Sequence, residues 1–475
     1  MKWMVQNSRF AVLALAVAGL NVLPARAEGL ANADYSGELP AAVPGAAPAT
    51  NETVSRIDLP TTLRLAGARN LDIQIAREHL AEAQANRRTA IEQFFPWVTA
   101  GIAYNRGDGA TENVPPGTVS EAHYQFYNPG AALNAQTDLG DAIYHSLAAK
   151  QLVKASDQAL ETQRQDAIVS AAQGYFDLVK AKALADVARQ AIQISQDYQQ
   201  ELHAAVAAGV AFKGDELRVQ TQTEQYKIGL QRTLEQQRVA AVNLAQVLHL
   251  DSRVELAPLD AGLTPLGLFP TNASLDVLVE RAMRARPELK QSEALLGAER
   301  AAKNGAVYGP LIPSLGAQAF GGGLGGGPDG GPGTTLAAEG AYMVGLNWRI
   351  GPGGLFDSGR IHASKARLAV AQLADSKLKD TVIAQVVAGL VQVNSAAARI
   401  GLAQRNLNTA SETLRLTRQR KQYGVGIVLE DIQAQQALTR AHADYVTAVA
   451  EHNKAQYALN KAVGGPPEAS AKRSQ

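Results

Sequence analysis

Two pairs of carboxylates stand out among the residues able to do chemistry. Asp215-Glu216 begins six residues after Gly209, and Glu430-Asp431 begins six residues after Gly424. Arg415, Arg418, Arg420 and Lys421 precede that second glycine. Acids at a helix start and bases at a helix end each gain about 0.3–1 kcal/mol from the helix dipole. Glycine is an ordinary helix C-cap. Capping is therefore one reading of both clusters. Carboxylates crowded around an opening also repel one another and attract cations, which is a second reading. Neither is covalent chemistry. The chain has no cysteine, which removes thiolate nucleophiles, disulfides and thiolate metal sites. None of its 8 histidines stand at i,i+4, so no helical zinc pair is supported. Gly321-x-Gly323-x-x-Gly326 fits the dinucleotide fingerprint only formally, because no helix pattern follows it. Ser376-Lys377-Leu378-Lys379 lies inside a helical stretch without partners for a serine nucleophile. The sequence thus predicts no enzyme, no cofactor and no resident metal. With 45 Lys+Arg against 44 Asp+Glu there is no basic surplus for nucleic acid.

The elements that position the carboxylates are long. Residues 130–257 and 353–465 contain no proline. Each region predicts two helices of about 65 residues, roughly 100 Å long, joined at Gly209 or Gly424. Val386, Val393, Ile400, Leu407 and Leu414 recur every seven residues, and Gly389, Ala396, Ala403, Ala410 and Thr417 follow three places after each. Alternating large and small residues at that period predict a closely packed, left-handed supercoiled seam. The whole arrangement is written twice. Arg69 and Pro96 are answered by Arg286 and Pro313, Asp138-Leu139-Gly140 by Asp357-Ser358-Gly359, and the tip carboxylates by one another. Repeated order marks a duplicated structural unit.

The chain opens as an export signal. Lys2 and Arg9 precede an apolar stretch from Phe10 to Leu23, and Ala25-Arg26-Ala27 fits cleavage after Ala27. No later run of 18 apolar residues predicts a transmembrane helix. Strands offer another way into a membrane. In 341–350, Tyr342, Val344, Leu346, Trp348 and Ile350 point one way, with Gly345, Asn347 and Arg349 on the other side. Val98, Ala100, Ile102 and Tyr104 alternate likewise, Leu315 to Ala319 more weakly. Tyr124 to Asn134 is interrupted by Pro129 and Gly130. Such alternation fits a lipid-facing strand or a half-buried soluble sheet. Aromatic residues cluster within 94–127 and 308–356, as membrane-interface girdles do. Four strands cannot close a barrel, and open edges are not tolerated in lipid. Strands of this kind must therefore be pooled, and three chains would pool twelve. The connections near 105–123 and 321–336 are expected as outer loops, the second being too glycine-rich for regular structure.

These residues resemble the outer-membrane efflux protein family, the TolC-type exit ducts. The resemblance is carried by Arg286-Pro287-Glu288-Leu289, Ile312-Pro313-Ser314-Leu315, Leu355-Phe356-Asp357-Ser358-Gly359-Arg360, and Tyr423-Gly424-Val425-Gly426 followed by Leu429-Glu430-Asp431-Ile432. It covers about residues 57–465. It implies a mainly α fold with a membrane β-barrel: tandem long helical hairpins form an α-helical barrel, and four strands per chain enter a trimeric twelve-stranded outer-membrane barrel. It implies a homotrimer in the outer membrane of a Gram-negative bacterium, a periplasmic adaptor, and an inner-membrane pump of RND or ABC type. By the same resemblance Glu430 is a periplasmic constriction residue, with Asp431, Asp215 and Glu216 as further candidates. Gly209, Gly424 and Gly426 shape tips that dock the adaptor, and Tyr342, Val344, Leu346, Trp348, Val98 and Ile102 face lipid. The first copy departs from the pattern at Asn70, where proline is usual, and around Asp138-Leu139-Gly140. The expected organisation is a signal peptide 1–27, an Ala/Pro-rich leader 28–56, a first repeat 57–250, an equatorial linker 251–273, a second repeat 274–465 and a tail 466–475. A passive exit duct, a periplasmic adaptor with long hairpins and a periplasmic enzyme are the rival functions. Duplicated strand pairs favour the first, and the missing nucleophile or ligand cluster disfavours the last.

Overall fold

The computed structural model describes residues 54–113, 117–251, 253–260, 262–270, 273–328, 336–423 and 426–465. The export signal, most of the leader, the tail and Gly424 lie outside them. β1 (Ser55–Ile57), which overlaps the end of the expected leader, pairs in parallel with β4 (Leu256–Pro258).

Each repeat runs through two short helices, two strands and a hairpin of two longer helices. The first has α1 (Leu59–Arg69), α2 (Leu71–Glu92), β2 (Trp97–Asn113), β3 (Thr118–Asp138), α3 (Leu139–Ala207) and α4 (Lys213–Val247). After β4, the second has α5 (Leu275–Ala285), α6 (Pro287–Tyr308), β5 (Ser314–Pro328), β6 (Ala337–Asn347), α7 (Ser358–Gln422) and α8 (Val428–Ala462). Local chemistry sets the helix starts. Asp58 caps α1 by accepting from the Thr61 N–H at 3.0 Å. Asn70 accepts from Asp72 and Ile73 to cap α2, while in the second repeat Pro287 fills the first turn of α6. Two solutions thus serve one junction, a side-chain cap in the first copy and a proline in the second.

The hairpins are asymmetric, which corrects the expectation of equal helices. α3 and α7 span 69 and 65 residues, but α4 and α8 span only 35 each. The remaining length is covered by α2 along α3 and by α6 between α3 and α7. A long helix must bury its apolar stripe along its whole length, and two shorter helices do this as well as one. The seam holds: Val386, Val393, Ala396, Ala410 and Leu414 are buried. A Cβ added at Gly389 would meet the Leu459 Cδ1 at 3.2 Å, and one at Gly174 would meet the Leu244 Cδ1 at 3.2 Å. These contacts stand at equivalent places in α7–α8 and α3–α4. A further correction concerns α7, which contains an 18-residue window apolar enough by composition to cross a membrane, a third of it buried. Its apolarity is that of a packing seam rich in Val, Ala and Gly.

A core of Tyr175, Leu178, Leu244, Leu248 and Leu256 fills the middle of the first repeat, and one of Val382, Val386, Leu459 and Val463 that of the second. The segment between the repeats is strapped to α8 by buried amides. Asn453 Oδ1 accepts from the Leu266 N–H at 2.8 Å, and Gln456 Oε1 accepts from the Phe269 N–H at 2.8 Å.

The strands form one antiparallel sheet in the order β2-β3-β5-β6. Three expectations about it change. The stretch through Pro129 and Gly130 is not broken, because Ile102 pairs with Pro129 and Gly101 with Gly130 inside the 21-residue β3. Segments 105–113 and 321–328 are strand rather than loop. The glycine run is ordered because aromatic rings lie over it and its neighbours. A Cβ at Gly325 would stand 2.6 Å from the Tyr127 ring, at Gly107 2.5 Å from Tyr124, and at Gly130 2.5 Å from Phe320. Rings laid over glycines hold a strand that propensity alone would not. Trp348 falls just past β6, where the chain folds back through Gly351 and Gly353 at positive φ. Its indole N–H donates to the Leu311 carbonyl at 3.2 Å.

Candidate functional site

The sheet register sorts side chains onto two faces. Val98, Leu133, Ala319 and Tyr342 stand on one rung and one face. Two residues along each strand, the same face carries Ala100, Ala131, Gly321 and Gly340, and then Ile102, Pro129, Gly323 and Ala338. The rung of Thr137, Leu315 and Leu346 ends the band at one side, and Tyr104 with Tyr127 ends it at the other. Beyond Tyr104 come Arg106 and Asp108, paired at 3.0 Å, and His123. Ten residues at about 3.3 Å each, tilted by roughly 40°, give an apolar band about 25 Å tall, the height of a bilayer core on a transmembrane barrel. Tyr342 is 90% exposed and Ile102 78% exposed within the single chain. An apolar face this open is not the core side of a soluble sheet. Val98, Ile102, Tyr342, Val344 and Leu346 stand on this apolar face, with Trp348 at its margin.

At the sheet's lower end, α3 and α7 begin side by side. A Cβ on Gly140 would strike the Gly309 carbonyl, so only glycine permits that approach. Arg360 donates to Asp141 at 3.0 Å, tying the start of α7 to the start of α3. Asp357 caps α7 through the Arg360 N–H at 2.9 Å and also accepts from the Gly353 N–H at 2.9 Å.

At the opposite end of the hairpins, Tyr198, Leu202, Val219 and Ile432 pack together and join the two tips. Gly209 turns the first tip with φ +75°, and in the second a Cβ on Gly426 would stand 3.0 Å from the Lys421 backbone nitrogen, closer than ordinary contact. The four carboxylates divide into two kinds. Glu216 is 6% exposed and lies between Lys213 Nζ at 2.6 Å and His203 Nδ1 at 2.9 Å, which hold its carboxyl below the usual range. Asp431 occupies the equivalent place in α8 and is 4% exposed. Burial pushes its carboxyl upward against the opposing pull of Tyr198, Lys421 and Arg418. Lys421 Nζ sits 3.9 Å above the Tyr198 ring, and burial lowers its pKa. Asp215 and Glu430 remain partly open to solvent, each beside an arginine: Arg218 at 3.2 Å and Arg420 at 3.2 Å. The tips are also tied by Gln436 to Gln222 at 2.6 Å and by Gln435 to the Ala191 carbonyl at 2.9 Å. Tyr198 and His203 were not singled out by sequence. Only their place on the facing helix gives them a role. Among the described residues no cluster of three or more metal-ligating side chains occurs.

The comparisons with known proteins agree with this geometry. The profile of outer membrane efflux proteins matches residues 62–248 and 278–465. No curated protein is similar to the chain at a significant level. Among solved structures, a membrane protein from Pseudomonas aeruginosa superposes with a TM-score of 0.72 at 21% identity, covering 86% of this chain and 93% of that one. The CmeC outer membrane channel of Campylobacter jejuni gives 0.70 at 18% identity, covering 86% and 85%. The outer membrane protein VceC of Vibrio cholerae gives 0.72 at 17% identity, covering 86% and 97%. With both repeats matched and the sheet and hairpins arranged as described, this chain belongs to the outer membrane efflux protein family.

Proposed function

We propose that three copies of the chain close one twelve-stranded barrel, continue it as an α-helical tunnel, and so form the passive exit duct of a tripartite efflux or secretion system. The observation that carries this is the sheet. Its apolar face suits lipid, yet its edge strands β2 and β6 each leave one side unpaired among the described residues. Open edges are not tolerated in a bilayer, so further copies must supply the missing pairings. Strand directions alternate across the sheet, so β6 of one copy and β2 of the next meet antiparallel and the alternation continues around the ring. Three sheets give about twelve strands, within the range of transmembrane barrels. That CmeC is described as an outer membrane channel supports the same reading.

Nothing in the described residues hydrolyses nucleotide, so the energy comes from partners: a periplasmic adaptor and an inner-membrane pump of RND or ABC type. The tips turned at Gly209 and around Gly426 are where the adaptor docks. Glu430 lines the constriction there, together with Asp215. Glu216 instead joins α3 to α4 through His203, and Asp431 is buried against Tyr198 of α3. Light scattering of the detergent-extracted assembly, with detergent correction, tests the reading. The expected mass is that of three chains after signal removal. A monomer soluble without detergent would overturn the duct and favour an adaptor.

A further inference from the structure

The face of the sheet opposite the apolar band carries small and neutral polar residues, among them Thr99, Asn128, Asn134 and Gln318, together with Trp97, Phe320, Leu324 and Met343. Between the rung of Tyr104 and the rung of Leu346 it bears one charged side chain among the described residues, Glu339 on β6. Glu339 pairs with Gly322, and Gly322 pairs in turn with Gly130. Neither glycine has a side chain to stand in the way. Asn128 on β3 therefore reaches across β5, and its Nδ2 donates to the Glu339 Oε2 at 2.7 Å. The Phe320 ring lies over the two glycines, its Cζ 2.7 Å from where a Gly322 Cβ would be. Glu339 is thus held at one height by a neutral donor, beside an apolar ring, with no cationic side chain sharing its face within the band.

A carboxylate turned to lipid at this height would be expensive, so this is the wet face. The geometry points to Glu339 as the residue that gives the barrel lumen a preference for cations over anions, a selectivity element separate from the helix tips. The inference rests on the trimeric duct proposed above. Twelve strands spaced about 4.8 Å apart and tilted by roughly 40° give a circumference of about 75 Å and a backbone radius of about 12 Å. A glutamate reaches inward by about 5 Å, leaving roughly 7 Å from carboxylate to axis, within the Debye length of about 8 Å at physiological salt. Three such charges at one level therefore act across the whole lumen, and one carboxylate per chain suffices.

The test is reversal potential in planar bilayers under a potassium chloride gradient, with the assembled full-length protein. Glu339→Gln keeps the hydrogen bond from Asn128 and removes the charge. The expected result is channels of similar conductance whose cation-to-anion permeability ratio falls at least about two-fold. Because the native chain has no cysteine, labelling gives a second measurement. A membrane-impermeant thiol reagent is expected to modify Glu339→Cys in reconstituted vesicles and to leave Ala338→Cys, on the lipid face, unmodified. A cationic reagent at position 339 is expected to lower the permeability ratio below that given by an anionic one. Channels from Glu339→Gln with an unchanged ratio, or modification of Ala338→Cys but not Glu339→Cys, overturn this inference and leave the duct standing. Failure of the unaltered protein to form channels overturns the duct, and this inference with it.

Discussion

Replacing Gly389 tests the packing that makes the hairpins. Gly389 lies on α7 where it packs against Leu459 of α8. A Cβ there meets the Leu459 Cδ1 at 3.2 Å, the Leu459 Cα at 3.6 Å and its Cβ at 3.7 Å. Leu459 is fully buried, so it yields by only a few tenths of an ångström. Alanine needs no more than that, and it gains about 0.5–1 kcal/mol over glycine in helix propensity. Gly389→Ala is therefore expected to change stability by less than about 1 kcal/mol in either direction. Leucine adds three more carbons at a place where the Leu459 Cα already stands 3.6 Å from the Cβ. Gly389→Leu is expected to cost about 1–3 kcal/mol or more by overpacking. Gly174→Leu, against Leu244, is expected to cost a similar amount in the first repeat. The assay is the thermal midpoint of the detergent-extracted assembly followed by far-ultraviolet circular dichroism, comparing alanine and leucine at both sites. Equal midpoints for Gly389→Leu and the unaltered protein would refute the close-approach argument. So would a loss for alanine as large as that for leucine, because the cost would then not lie in the added bulk.

Other outcomes follow from the tips and the equator. Asp431 has its carboxyl pushed up from 3.8 by burial, so its protonated form fits the fold better than its charged form. Its contribution to tip stability is present at low pH and is lost as pH rises from 3.8 through the raised value. Asp431→Asn is thus expected to slow hydrogen exchange of tip amides at neutral pH and to flatten its pH dependence; faster exchange would contradict the burial argument. Glu430→Ala is expected to reduce block of single-channel current by divalent cations, measured in planar bilayers, whereas unchanged block would leave this residue only as the partner of Arg420. Arg286 is 4% exposed and bonds Glu288 at 2.8 Å and Gln385 as well, so Arg286→Met is expected to cost about 1–3 kcal/mol in thermal unfolding.

Much of the fold was legible in the chain because periodicity and duplication are local facts. The Val386-to-Leu414 repeat dictates a seam whatever lies opposite, and the recurrence of Gly-x5-acid-acid places both tips. Alternation at Tyr342 to Leu346 dictates a two-faced strand. The glycine run 321–327 was misread because glycine has poor strand propensity by itself. Tyr127, Phe320 and the pairing with β3 supply the order, and they come from distant parts of the sequence. The lengths of α4 and α8 were misread likewise, since no proline marks where α2 and α6 take over.

The candidate site divides along the same line. Composition and spacing placed four carboxylates at two helix starts. They did not distinguish Asp215 from Glu216, or Glu430 from Asp431, because adjacent residues share every local property. Successive positions on a helix point about 100° apart. Glu216 and Asp431 therefore turn into the packed tip while Asp215 and Glu430 turn outward, and only the helices packed alongside decide which direction is which.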